Sequence, residues 1–426
     1  MSGRFALARL MIRPRTTTVR VDRYVGPFLS RLKRNMSYLN RDYEKEEMLL
    51  HGDLKLCLQQ NTDQVGAAMK AQTLLEDFVS ARRRDLLQHR LPIQFLQVQH
   101  KESYRLVLDC WDKVHPNRSS EISSKKIALN AEKILAFYLS DLLHLQLLQD
   151  RLAEERICSI PLKSASNMDM FSRVLKIWSK VEDSIVSIHR IMEILNYMEV
   201  RELTQRNDQL EPRTVIGKVD ATCYNIVIKA LSKSNFQWKV TSAFNILKRM
   251  EERSKQHSFM SNCAPDVVSF GLFFKTCSKS DCNTPELKAS VIPMIIEGWE
   301  MIRNQANLSA YNKRYLSDHG LYCDFFRACA ALEVHEDIIK NIFEEACANG
   351  AVSRSVIAEL RKAVSSYCYK RIVLDEQIES IEQMNEKGKK DITQTLPASW
   401  SKNVVYRAFK SKRRFQTYSS KTNKKA

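Results

Sequence analysis

The hydrophobic and polar positions of this chain repeat one pattern five times. The stretches ESYRLVLDCWDKV, DMFSRVLKIWSKV, TCYNIVIKALSKS, VVSFGLFFKTCSKS and LYCDFFRACAAL align on Tyr104, Phe171, Tyr224, Phe270 and Tyr322. Three and four residues on stand Val107 and Leu108, Val174 and Leu175, Val227 and Ile228, Phe273 and Phe274, and Phe325 and Phe326. Seven on stand Trp111, Trp178, Leu231, Cys277 and Cys329. Apolar residues at i, i+3, i+4 and i+7 form one stripe of an amphipathic helix. Nine residues on come Lys113, Lys180, Lys233 and Lys279, and the fifth copy breaks to Ala331.

A second apolar helix is predicted after each: NAEKILAFYL, IHRIMEILNYME, SAFNILKRMEE, KASVIPMIIEGWEMI and DIIKNIFEEACANG. AAMKAQTLLEDFV, earlier in the chain, reads as the second helix of a degenerate copy. The five aromatics are 67, 53, 46 and 52 residues apart, so the loops vary in length. A lone two-helix unit cannot bury its apolar faces, whereas stacked neighbours bury them jointly. The expected fold is all-α, an α-solenoid of stacked helical hairpins. Gly and Pro, 10 each in 426 residues, are scarce against usual shares of about 7% and 5%, which agrees with few tight turns.

Eleven Cys are scattered without a CxxC, the usage of reduced thiols in a helical interior rather than a disulfide scaffold. Cys277, Cys282, Cys323 and His319 match no standard zinc spacing, and no metal or cofactor is expected. The most apolar long stretch, Ile127 to Leu148, contains Glu132, Lys133, Asp141 and His144. Mid-span charges cost about 2.5–3.5 kcal/mol each in a membrane, so this reads as a buried helix and no membrane span is expected.

The net charge of +18 is concentrated at the ends. Residues 1–35 hold nine Lys/Arg and one acid, residues 400–426 hold nine and none, and the long middle carries only +1. The first segment is Arg-rich and has no acid before Asp22; it suits a mitochondrial transit peptide, or else a basic arm. The last segment sets Lys410, Lys412, Arg413 and Arg414 among Trp400, Tyr406, Phe409, Phe415 and Tyr418. That pattern suits a phosphate backbone with aromatics available for stacking, and equally a solvated tail. The organisation expected is a transit peptide over 1–35, a helical region with a degenerate repeat over 36–100, the repeat array over 101–350, further helices over 351–390 and a basic tail over 391–426.

One copy carries a specific resemblance. Thr222, Tyr224, Asn225, Lys233, Ala243, Met250, Pro265 and Asp266 fall where a pentatricopeptide repeat has its Thr, its Tyr-Asn pair, its helix-ending Lys, the Ala and Met of its second helix and its closing Pro-Asp. The chain resembles the divergent, loop-expanded members found in algae and other protists, over about 104–350. Tetratricopeptide repeats differ: their early Leu-Gly pair is missing from all five first helices.

The resemblance implies single-stranded RNA binding, one base per repeat read by two or three side chains. The first readers would be Arg105, Ser172, Asn225, Gly271 and Cys323, and the second readers Asn167, Asp220, Asp266 and Asp318. On the family's code Asn225 with Asp266 favours uracil and Ser172 with Asp220 favours guanine, while Thr222 and Val268 stand where bases are sandwiched. Lys113, Lys180, Lys233 and Lys279 would follow the RNA backbone. Each group also has a plainer use: Asp220 and Asp266 suit helix N-caps, and a Lys suits a helix C-terminus. No phosphate-binding glycine loop, HExxH or nucleophile elbow is present, nor the His-x-Glu with Cys-x-x-Cys of a deaminase, so the chain is not expected to be an enzyme. The function expected is non-catalytic binding of organellar mRNA or rRNA in the mitochondrial matrix, for transcript maturation, stability or translation. The alternative is a scaffold associated with the mitochondrial ribosome or with RNA-processing proteins.

Overall fold

The computed structural model describes residues 45–61, 63–87, 101–115, 122–154, 168–182, 184–207, 219–256, 262–282, 284–308, 312–373 and 397–404. The transit-peptide segment, Asn167 and the basic cluster Lys410, Lys412, Arg413 and Arg414 lie outside the described residues. Among the described residues the protein is all-α, with fourteen α-helices and no strand. They are α1 (45–59), α2 (Gln64–Leu87), α3 (Lys101–Lys113), α4 (Ser124–Glu154), α5 (Met168–Trp178), α6 (Ser184–Asn207), α7 (Ala221–Lys233), α8 (Lys239–Gln256), α9 (Val267–Ser278), α10 (Pro285–Leu308), α11 (His319–Leu332), α12 (Glu336–Ala348), α13 (Arg354–Ala363) and α14 (Ser366–Val373). No described helix is long and apolar enough to cross a membrane.

The five repeated stretches are α3, α5, α7, α9 and α11. Their aromatic and i+3, i+4, i+7 positions are buried throughout, Tyr104, Tyr224, Phe270 and Tyr322 completely so. The chain divides into two compact units, Met1–Pro265 and Asp266–Ala426, and this boundary falls inside the span expected to be one array. In the first unit α3 touches α5 and α5 touches α7, while α4, α6 and α8 follow as their second helices. In the second unit α9, α11 and α13 stack in the same way. First helix on first helix, hairpin after hairpin, is the arrangement of an α-solenoid.

A further copy emerges at α13. Ser353 caps it through Val356 N at 3.3 Å, and Ile357 occupies the place of the repeat aromatic, four residues beyond the cap. The sequence pattern hides this copy because an aliphatic residue replaces the ring. The degenerate early copy is α1 with α2, in which Leu50, Leu54 and Cys57 supply the buried stripe.

Within each unit the second helices are bridged by Arg–carboxylate pairs. In the first unit Arg83 reaches Asp141 from α2 to α4 at 3.2 Å, Arg190 reaches back to Glu132 from α6 to α4, and Arg253 reaches Glu202 from α8 to α6 at 2.7 Å. In the second unit Arg303 on α10 holds Glu345 on α12 at 2.8 Å. Aromatic side chains join these pairs. Tyr224 donates to Glu199 at 2.5 Å, Arg249 meets Glu199 at 3.2 Å, and Trp299 donates to Glu345 at 3.0 Å. Burial, with Glu199 alongside, pushes the Tyr224 phenol far up, so it stays a donor.

The second unit has an aromatic core. Trp299 lies 4.9 Å from Tyr322 and 4.7 Å from Phe325, ring centre to centre, and Phe274 meets Phe325 edge-on at 5.3 Å. Gly298 admits this packing, since a Cβ there would lie 2.9 Å from Phe273. The 3₁₀ turn Ala398–Ser401 closes over α12. Trp400 meets Phe343 edge-on at 5.8 Å and accepts from Val352 N at 2.8 Å, while Asn403 N donates to the Gly350 carbonyl at 3.0 Å. Gly350 ends this hairpin at φ +64°, a conformation open to glycine and strained for other residues.

Glu132 is almost completely buried against Arg190. Glu132→Ala leaves Arg190 with only the exposed Glu193 as its ion-pair partner and should lower stability by about 1–3 kcal/mol, read from urea unfolding, with helical circular dichroism retained before the transition.

Candidate nucleic-acid interface

The face of a first helix opposite its buried stripe carries the positions five and nine residues beyond the aromatic. At 100° per residue these sit within about 40° of each other. Position +9 is the lysine column of the sequence pattern. Position +5 holds Lys176, Lys229, Lys275, Arg327 and Lys362 in α5, α7, α9, α11 and α13, and Asp109 in α3. All five of these cations are exposed. This second basic column escaped the sequence reading. Register alone would have revealed it, had each stretch been read for its polar as well as its apolar places.

The lysine column divides into two kinds. Lys113 Nζ donates to the carbonyl of Leu58 in α1 at 2.7 Å. Lys180 Nζ donates to the carbonyl of Asp112 in α3 at 2.7 Å, and to its Oδ1 at 2.7 Å. Each therefore grips the end of the preceding first helix at one register, satisfying a carbonyl that the helix leaves unpaired. Lys233 and Lys279 are exposed, and their ammonium groups make no ion pair or hydrogen bond among the described residues.

Position +5 divides likewise. Lys176 joins Lys180 on Asp112, at 2.8 Å from Oδ2. Arg327 pairs with Asp324 at 2.8 Å and with Glu359 at 3.0 Å, and Lys362 shares Glu359 at 3.3 Å. Burial raises the Asp112 pKa, but hydrogen bonds from Lys176 and Lys180 outweigh it and hold the carboxyl below its usual range. Glu359 shows the same balance, with Arg327 and Lys362 outweighing burial. Asp324 is the opposite case: burial prevails and its pKa rises. Lys229 and Lys275 are exposed; their ammonium groups make no ion pair or hydrogen bond among the described residues, though Lys275 lies close enough to Asp324 to act on it electrostatically.

The expected base readers occupy several environments. Asp220 caps α7, accepting from Cys223 N at 3.1 Å. Asp266 caps α9 in a capping box, accepting from Ser269 N at 2.7 Å while Asp266 N donates to Ser269 Oγ at 3.1 Å. Asp318 caps α11 through Leu321 N at 3.0 Å. The capping use of these acids is thus realised. Asn225 is half-buried on α7 in the first unit, and Asp266 opens the second. Ser172 is half-buried, and its hydroxyl donates to the Asp169 carbonyl at 3.0 Å. Thr222 is exposed, and Val268 is 56% exposed, an apolar side chain left in water.

Three first-reader positions are closed. Arg105 is held by Glu102 and by Asp109, the latter at 3.5 Å. Cys323 is buried, and burial pushes its thiol up to about 12. Gly271 faces Asp324, whose Oδ2 would lie 3.4 Å from an added Cβ. In the second unit, then, Cys323 is buried and Gly271 has no side chain to offer a base. Among the described residues no group of three or more His, Cys, Asp or Glu could hold a metal ion.

No protein-family model, curated protein or solved structure matches the chain.

The Asp112 clasp has a defined pH dependence. A carboxyl whose folded pKa is lowered stabilises fully above its unfolded value, here the ordinary 3.8, and less as pH falls through the folded value. Asp112→Asn should lower the melting temperature near neutral pH. The gap from the parent should shrink once pH drops below 3.8, as a series of thermal melts would show.

Proposed function

We propose that the chain is a non-catalytic, single-stranded RNA-binding protein of the mitochondrial matrix, acting in maturation, stability or translation of organellar transcripts. The observation that carries this reading is the double basic column on the open face of the first helices. Within each unit exposed cations recur at one register of successive first helices and lysines at another, an arrangement suited to a polyanion. The pentatricopeptide resemblance around Thr222 to Asp266 adds the base-reading expectation, which Asn225 and Ser172 serve best: both are half-buried polar side chains on first helices. An amide donates and accepts at once, so Asn225 suits a base edge.

A second reading is favoured by a different observation. Lys113, Lys176, Lys180, Arg327 and Lys362 are engaged with the protein's own groups, and three reader positions are closed. A solenoid with so few open readers also suits a scaffold on the mitochondrial ribosome or among RNA-processing proteins.

Crosslinking the protein in its own organelle, then sequencing the bound RNA and identifying copurifying proteins, separates the two. The RNA-reader expectation is crosslinks at one or a few transcript sites, weakened at least several-fold by Asn225→Ala combined with Ser172→Ala. Copurification of a whole ribosomal subunit, unchanged by those substitutions, would replace it with the scaffold reading.

A further inference from the structure

Resting on the RNA reading above, we infer that backbone contact is confined to one helix in each unit: Lys229 and Lys233 of α7 in the first, and Lys275 and Lys279 of α9 in the second. Each pair forms a two-cation grip for phosphates, and the equivalent cations of the other first helices act as structural clasps.

The inference follows from the balance of charge along the open face. In α3 the +5 place is acidic, and Asp109 is taken up by Arg105 and by Arg173 of α5. In α5 both Lys176 and Lys180 close on Asp112. A phosphate approaching either lysine would have to displace a hydrogen-bonded carboxylate at 2.7–2.8 Å, and would meet Asp112 itself as a like charge. In α11 and α13, Arg327 and Lys362 are answered by Asp324 and Glu359. On α7 and α9 no ammonium group closes on a carboxylate among the described residues: Asp324 of α11 acts on Lys275 electrostatically, but its carboxylate is bonded to Arg327 at 2.8 Å. The place just past α5 that corresponds to Asp112 on α3, and would receive Lys229 and Lys233, is Ser179. Position +2, acidic in α11 and α13, is Ile226 in α7 and Leu272 in α9.

Within each pair the two lysines are four residues apart, about 6 Å along the helix axis. They point from the same face, so two ammonium groups can hold one phosphate or two successive ones. Neither pair has to give up an internal bond to do so. That makes the contact additive: each lysine that neutralises a phosphate contributes about 0.7 to the slope of log affinity against log salt for a single strand. Lys176 and Lys180, both bonded to Asp112, are not free to turn to a phosphate and contribute nothing to it.

The test is fluorescence anisotropy of a labelled, mixed-sequence single-stranded RNA with the full chain, titrated over a range of salt concentrations. Lys229→Ala with Lys233→Ala, and separately Lys275→Ala with Lys279→Ala, should each reduce the slope by about 1.4 while leaving the melting temperature close to the parent's. Lys176→Ala with Lys180→Ala should lower the melting temperature and leave the slope unchanged. Equal slopes for the parent and both open-pair variants would overturn the inference while leaving RNA binding intact. A loss of slope in the clasp variant as large as in the open pairs would overturn it too, since the partition of the cations would then be wrong. No binding by the parent would remove the RNA reading and this inference together.

Discussion

A carboxylate placed between two second helices has to be paired, because an isolated buried charge costs several kcal/mol. In this protein the partner comes from the neighbouring hairpin. Asp141, Glu132, Glu202 and Glu345 each take an arginine from another second helix of the same unit, and Glu199 and Glu345 add a Tyr hydroxyl and a Trp indole. Such pairs add little net stability over a well-packed apolar contact. Their effect is on register: only one position of a hairpin along its neighbour brings guanidinium to carboxylate. Apolar ridges alone tolerate sliding, and the repeats themselves are similar enough to permit it.

The first helices solve the same problem differently. They lie close, and a residue without a side chain stands where they touch, as Gly271 does against Asp324. Lysines from the following helix then close the exposed ends, Lys113 on Leu58 and Lys180 on Asp112. A lysine has enough reach to cross one interhelical step and has three donors to share between a carbonyl and a carboxylate. Lys180 finds both a carbonyl and an acid at the receiving register, and Lys113 a carbonyl alone. Where serine stands there, the lysine remains in water, and the surface keeps its positive charge. Clasped and open lysines of one column thus differ in the residue that each meets on the neighbouring helix.

In the second unit the turn around Trp400 folds back across Gly350 and Phe343. It supplies backbone partners to residues 350–352 after α12 has ended, so groups that would otherwise lack bonds are satisfied. The cost of the left-handed Gly350 is small because glycine has no Cβ to strain.

Much of this was legible in the sequence because helical periodicity is a local property. The buried stripe from Tyr104, Phe171, Tyr224, Phe270 and Tyr322 fixed the first helices, and Asp220 and Asp266 were recognisable as caps from their place before each stripe. Other features depend on what a residue meets across space. Lys113 and Lys180 carry the same pattern as Lys233 and Lys279, yet only the first pair finds an acceptor on a neighbouring helix. Cys323 sits at a reader position and is buried. The Ile357 copy was missed because its stripe is aliphatic and its helix short. By itself the sequence determined which residues form helices and which face of each is apolar, since both follow from spacing along one chain. Tertiary structure alone decided which cations are neutralised and which remain open, because that depends on the residue opposite, contributed by a helix some fifty or more positions away.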